Sequence, residues 1–338
     1  MRSVFLNGPR DIQVAQCPVP RVVDPTDAIV KLSAASICGS DLWSFRGIDD
    51  VRGTRMGHEY AGVISEVGSG VTKLRRGDFV VGSFMSSDGT CELCRSGYPV
   101  HCVRREPAAF GAQAEFVRIP LADGTLVRTP TTPDPALIPS LLAASDVLGT
   151  AWFAADAAQV GPETSVAVVG DGAVGLLAVM SAKQRGATRI LVMSRNPARQ
   201  AMAMKFGATD IVEVRGDAAV AEVKRLTGGL GVHSTIEAVG TSESMLQAIR
   251  STRPGGCIGY VGLPHDVSLP GREVFLSGVH LHGGPAPVRR YLPLLIDLIW
   301  TGEIDPGQVY DLTLPIEESA EGYAAMDERK AVKVMLTF

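Results

Sequence analysis

Residues 165–195 read SVAVVGDGAVGLLAVMSAKQRGATRILVMSR, and this stretch constrains the fold more than any other part of the chain. An apolar run stops at a glycine-rich turn. A helical, Ala- and Leu-rich stretch follows, and a second apolar run, RILVM, ends at Ser194. Strand, turn, helix and strand in that order place two strands in parallel, because the helix must carry the chain back across the sheet. The stretches VKRLTGGLGVHSTIEAVG and MLQAIRSTRPGGCIGYVGL repeat the alternation. The rhythm predicts an α/β architecture with a doubly wound parallel sheet.

The first ~145 residues follow a different rhythm, with short strand-like runs separated by Gly, Asp and Pro turns. These runs are AIVKLSAAS, YAGVISEVG, GDFVVGSF and AEFVRI, and they predict a β-rich, barrel-like unit. TPTTPDPALIP, residues 129–139, carries four prolines and reads as a boundary before a helix. LIPSLLAASDVLGTAWFAADAA then reads as one long apolar helix. The tail reads as a helix, RRYLPLLIDLIWTGEI, and a last strand, KVMLTF. A length of 338 residues suits two domains of about 150 residues each. The expected division is a catalytic domain over 1–140, completed by 288–338, and a nucleotide domain over 141–287.

Gly170-Asp171-Gly172-Ala173-Val174-Gly175 fits G-x-G-x-x-G in the strand-then-helix setting that gives the pattern meaning. Gly170 allows the tight turn, Gly172 lets the backbone approach a pyrophosphate, and Gly175 lets helix pack on strand. The helix opening at Ala173 and Val174 offers unpaired N–H groups to phosphate. A glycine turn without ligand would show the same letters. An NAD site normally carries Asp or Glu about 20 residues on, to accept from the ribose 2′-hydroxyl. Here the second strand ends Ser194-Arg195-Asn196, with Arg199 following and no carboxylate. Ser194, Arg195 and Arg199 suit a 2′-phosphate, so NADP(H) is expected over NAD(H). The competing reading makes Arg195 and Arg199 ordinary surface charges.

Charge and leader signals exclude several classes. The net charge is −4 and no basic block stands out, so nucleic acid and anionic membrane are not expected partners. MRSVFLNGPR has no apolar leader core, and no run of about 18 apolar residues occurs, so the expected location is the cytoplasm. Of six cysteines, Cys91, Cys94 and Cys102 share one loop, where a reducing compartment favours metal ligation over disulfides. Cys17 and Cys257 read as small buried apolar residues.

Cys38 in ICGSDLW, His58 and Glu59 in MGHEYAG, and Asp146 in ASDVLGT each have a plain structural reading. With the glycine motif downstream, the set resembles the zinc-dependent medium-chain alcohol dehydrogenases. The motifs C-G-S-D, G-H-E, the cysteine loop, D-V-L-G-T and G-D-G-A-V-G carry the resemblance over essentially the whole chain. It implies a GroES-like catalytic domain and a Rossmann domain. It also implies a catalytic zinc on Cys38, His58 and Asp146, with Glu59 beside it, leaving one position open for substrate oxygen. Ser40 matches the family's proton-relaying hydroxyl, and Thr150 a residue beside the nicotinamide. Gly262 and Leu263 are expected on the nicotinamide side. Trp43 stands where many relatives have His, and Phe153 where some do; plain core packing is the competing reading of Trp43. The two residues point to a medium-sized apolar alcohol or carbonyl substrate, and a proton leaving Ser40 needs another exit, because Trp43 cannot titrate.

The family's structural zinc lobe has four cysteines, and here Asp88 takes the first place before Cys91, Cys94 and Cys102. A carboxylate also ligates zinc, so a second zinc is expected; His101 does not match the spacing. Relatives are commonly dimers or tetramers. Two alternatives remain open: a zinc-free NADPH quinone or enone reductase of the same superfamily, and a non-enzymatic NADPH-binding protein.

Overall fold

Strand Ala28–Ile37 (β1) organises the first of two units into which the computed structural model of the chain divides, Met1–Gly149 with Pro287–Phe338 and Thr150–Ala286. The structure describes residues 1–106 and 111–338. AIVKLSAASI is buried along nearly its whole length, leaving only Lys31 exposed. It pairs antiparallel with Glu59–Val67 (β2), with Phe116–Ile119 and with the tail strand Val334–Thr337. The sheet order among the described residues is Leu312–Pro315, Val334–Thr337, β1, β2, Phe79–Gly82 and Leu126–Arg128, so the C-terminal tail is an integral part of the unit. Leu6, Ile37, Tyr323 and Leu336 belong to one apolar cluster, and Val30, Tyr60, Val80 and Val117 to another. Each such side chain contributes roughly 1.5–3 kcal/mol on burial.

The β1–β2 register brings two sequence motifs to one end of the sheet. Ser36 stands opposite Glu59, so Cys38, just past β1, and His58, just before β2, emerge side by side there. The short helix Asp41–Phe45 (α1) begins immediately after Ser40.

Two expectations are corrected: Cys17 is half-buried rather than buried, and the long apolar helix is broken. The apolar run expected as a single helix is two, Ile138–Ala144 and Val147–Ala157, with an angle of 47° between them. At the break, Ser145 N and Oγ both donate to the Leu142 carbonyl, at 3.0 and 2.7 Å, so the i→i−4 ladder gives way to a tighter turn. Asp146 sits in this break. No single helix among the described residues is long and apolar enough to cross a membrane.

The second unit holds the expected parallel sheet. Its strands are Ser165–Val169 (β3), Arg189–Met193 (β4), Asp210–Val212 (β5), Val232–Glu237 (β6), Thr252–Tyr260 (β7) and His280–Gly283 (β8). They lie in the order β5-β4-β3-β6-β7-β8, every neighbouring pair parallel. Helix Ala173–Gln184 (α2) links β3 to β4, and Pro197–Phe206 (α3) links β4 to β5. The start of α3 is written in its sequence: Asn196 accepts from the N–H groups of Ala198 and Arg199, and Pro197 sets the first helical φ. Strand order reverses between β3 and β6, where open sheets of this kind bind ligands at the carboxyl ends of their strands.

Candidate active site and metal centres

Ligand atoms of Cys38, His58, Glu59 and Asp146 all lie within 4.8 Å of one another. Asp146 Oδ2 is the centre of the group, 3.5 Å from Cys38 Sγ and 3.2 Å from His58 Nε2. Zinc bonds of ~2.0–2.3 Å in a tetrahedron put neighbouring ligand atoms roughly 3.3–3.8 Å apart, so the spacing fits such an ion. The electrostatics fit as well. Burial works against a charged His58, yet Cys38, Asp41 and the Asp146 hydrogen bond outweigh it and hold its pKa well above the ordinary value. Burial, and then the Glu59 charge, push the Cys38 thiol up. A pocket that gathers this much anionic capacity favours a cation.

The residues behind this group hold it in place. Asp41, on α1, accepts from Cys38 N at 3.0 Å and stands 3.5 Å from His58 Nδ1, which turns Nε2 toward Asp146. Gln113 Nε2 donates to Asp41 Oδ2 and to the Ser36 carbonyl, and Tyr323 donates to Gln113 Oε1. Gly57 is fitted to Gln113: it has φ +96°, and a Cβ there would lie 2.5 Å from Gln113 Cγ. Glu59 is fully buried and anchored from below by Lys333 Nζ at 2.5 Å and by Ser36 Oγ. Lys333 is equally buried; the charges of Glu59 and Cys38 overcome its burial and raise its pKa. Asp41, Gln113 and Lys333 did not stand out in the sequence as members of the site. Of these only Asp41 carried a signal, its place in C-G-S-D.

The second donor group is Asp88, Cys91, Cys94 and Cys102, again within 4.8 Å. Cys91 Sγ lies 3.4 Å from Cys94 Sγ and 3.9 Å from Cys102 Sγ. The N–H groups of Asp88 and Arg104 point at Cys102 Sγ, at 3.3 and 3.4 Å. Asp88 Oδ1 accepts from the N–H groups of Thr90 and Cys91, which outweigh burial and hold its pKa well below the usual carboxylate range. Its Oδ2 is buried with no hydrogen-bond donor, and Arg104 Nε stands 3.5 Å away. An orphaned carboxylate oxygen beside three thiols suits a zinc ligand. His101 is exposed on the short 3₁₀ turn that precedes Cys102.

In the second unit, each glycine of the motif has a distinct job. Gly170 has φ +118°, and a Cβ on Gly175 would lie 2.0 Å from the Gly170 carbonyl, which only glycine tolerates. A Cβ on Gly172 would meet nothing within 4 Å, so this face is open to a ligand. Ala173 and Val174 form the first turn of α2. At the tip of β4, Ser194 is buried, Arg195 exposed and Arg199 buried. Arg199 stands against Asp171 of the glycine turn, a carboxylate that the letters of β4 could not reveal. Gly262 lines an apolar cavity of about 230 Å³, and Leu263 is exposed.

Ser40 precedes α1 and its hydroxyl makes no capping bond to that helix. Trp43 is half-buried, with the Arg46 guanidinium 5.9 Å from its ring. Phe153 is buried and meets the edge of His282 at 5.8 Å. Thr150 lies on the helix Val147–Ala157, as the first residue of the second unit.

Comparison with known proteins agrees with this geometry. Residues 24–131 match the family described as alcohol dehydrogenase GroES-like domain, and residues 173–300 match the family described as zinc-binding dehydrogenase. The zinc-type alcohol dehydrogenase B of Aspergillus flavus is 33% identical over 99% of this chain and 81% of its own length. An alcohol dehydrogenase of Cupriavidus necator is 30% identical over 96% of this chain and 94% of its own. The solved alcohol dehydrogenase of Thermus sp. ATN1 superposes with a TM-score of 0.90 at 32% identity, covering 100% of this chain and 99% of that one. The chain therefore belongs to the zinc-type alcohol dehydrogenases of the medium-chain dehydrogenase/reductase family and is an oxidoreductase.

Proposed function

We propose that the chain is a zinc-dependent oxidoreductase that exchanges hydride between NADP(H) and an alcohol and its ketone or aldehyde. The observation that carries this reading is the convergence of Cys38, His58 and Asp146 on one point, backed by Asp41 and Lys333. Cys38, His58 and Asp146 would hold the catalytic zinc, with Glu59 beside it; Asp88, Cys91, Cys94 and Cys102 would hold a structural one. Bound zinc supplies Lewis-acid polarisation of the substrate oxygen, and the nicotinamide supplies or accepts the hydride. The protein's own part is to fix His58 through Asp41, to restrain Glu59 through Lys333 and Ser36, and to move the hydroxyl proton at Ser40 Oγ. Thr150, Gly262 and Leu263 are assigned to the nicotinamide side, and Gly170, Gly172, Ala173, Val174 and Gly175 to the pyrophosphate.

Preference for the 2′-phosphorylated nucleotide is supported by Arg195, exposed at the end of β4, while the Asp171 carboxylate that reaches Ser194 there is offset by Arg199. An apolar, medium-sized substrate is supported by half-buried Trp43 on α1 and by the Phe84 ring that meets His58 at 6.2 Å. Assembly into a dimer or tetramer is supported by Phe275 and Leu276, 83% and 67% exposed; sedimentation of a monomer would count against it. The six unpaired cysteines accord with the cytoplasm.

The test is turnover of NADPH and NADH with a panel of ketones, aldehydes, enones and quinones, before and after chelation. The expected result is carbonyl reduction with higher kcat/KM for NADPH, abolished by chelator and restored by zinc. Equal kcat/KM for both nucleotides would remove the cofactor assignment. Enone or quinone reduction that survives chelation would replace the zinc mechanism, and tight NADPH binding without turnover would revive the non-enzymatic reading.

A further inference from the structure

The register of β3 and β4 brings together opposite charges that lie far apart in sequence. Val169 pairs with Met193, so Gly170 and Ser194 leave the sheet at the same level. One residue later, Asp171 extends its carboxylate across to β4, where Oδ2 accepts from Ser194 Oγ at 2.8 Å. Arg199 closes the arrangement from the first turn of α3. Its Nη1 donates to the Asp171 carbonyl at 3.1 Å and stands 3.5 Å from Asp171 Oδ1. Both side chains are less than a tenth exposed, at 7% and 8%. A carboxylate at this strand end favours a ribose with a free 2′-hydroxyl, whereas a guanidinium favours a 2′-phosphate. This chain carries one of each, joined to each other.

We propose that the Asp171–Arg199 ion pair, which ties the glycine turn to the tip of β4, sets the choice between nucleotides with and without a 2′-phosphate. The inference rests on reading that turn as a dinucleotide site. Each charge restrains the other. Asp171 holds Arg199 against the turn and offsets its pull on a phosphate, while Arg199 offsets the repulsion that Asp171 would exert. At low exposure neither charge is well screened by solvent, so removing either one unbalances the pocket. Arg195, exposed on the same strand end, supplies the cation that is not part of the pair.

The experiment titrates the purified, zinc-loaded full chain with NADPH and NADH and follows nicotinamide fluorescence to a Kd for each. Asp171→Asn keeps the shape and an acceptor for Ser194, and is expected to shift the ratio of the two Kd values about tenfold toward NADPH. Arg199→Gln is expected to shift it about tenfold the other way. The opposite signs let either variant carry the test alone should the other fold poorly. The proposal is overturned if a folded variant keeps the ratio within about twofold of the unaltered protein, or if both variants move it in one direction. An unaltered protein that binds neither nucleotide overturns the dinucleotide reading itself, a result separate from an unshifted ratio.

Discussion

Ser40 is the residue on which the proposed proton transfer depends, and its hydroxyl is not used to cap α1. Ser40→Ala is expected to lower kcat by roughly 10²-fold or more while zinc content stays unchanged. Near-normal turnover in that variant would remove Ser40 from the reaction. Asp27 offers a test away from the chemistry. Burial acts to raise its pKa, but hydrogen bonds from Arg118 and from the N–H groups of Asp24 and Val23 outweigh it and lower the value. Its contribution is therefore present above the ordinary carboxylate pKa of ~3.9 and is lost as pH falls through the lower folded value. Asp27→Asn is expected to cost about 2 kcal/mol near neutrality, with the gap to the unaltered protein closing below roughly pH 4 in denaturant titrations. A gap that persisted in acid would assign the loss to packing. At this scale the sequence was legible where a motif named a residue, as with Cys38, His58 and Asp146. Lys333 and Gln113 were not legible, because their roles depend on distances that only the folded sheet creates.

Among the elements, the glycine turn separates a packing role from a binding role. Gly175→Ala forces a Cβ to 2.0 Å from the Gly170 carbonyl and is expected to lower Tm by several degrees, as a cost of about 1–3 kcal/mol implies. Gly172→Ala meets no protein atom and is expected to leave Tm unchanged while weakening nucleotide binding. If Gly172→Ala bound nucleotide normally, the pyrophosphate would not approach at that face. The alternation of strands and helices was readable because each element of the parallel sheet is a short apolar run closed by a turn. The run through Ser145 reads as one helix because apolar residues continue across the break, while the two bonds to the Leu142 carbonyl end the first helix. That break carries Asp146, so it lies at the candidate metal site.

For the whole molecule, the C-terminal strand decides how the chain must be divided. Val334–Thr337 pairs with β1, and Lys333, just before it, grips Glu59 beside the donor group. The donor group and its support thus draw on both parts of the sequence, which is why the first unit is not a contiguous N-terminal block. The proposed function requires two zinc ions in this unit, one on Cys38, His58 and Asp146 and one on the Asp88 lobe. The most direct measurement is zinc per chain in protein purified without chelator or added metal, for the unaltered chain and for Cys38→Ser. Two ions are expected in the first and one in the second, with carbonyl reduction lost. A chain that contains no zinc and still reduces its substrate would contradict the proposed function.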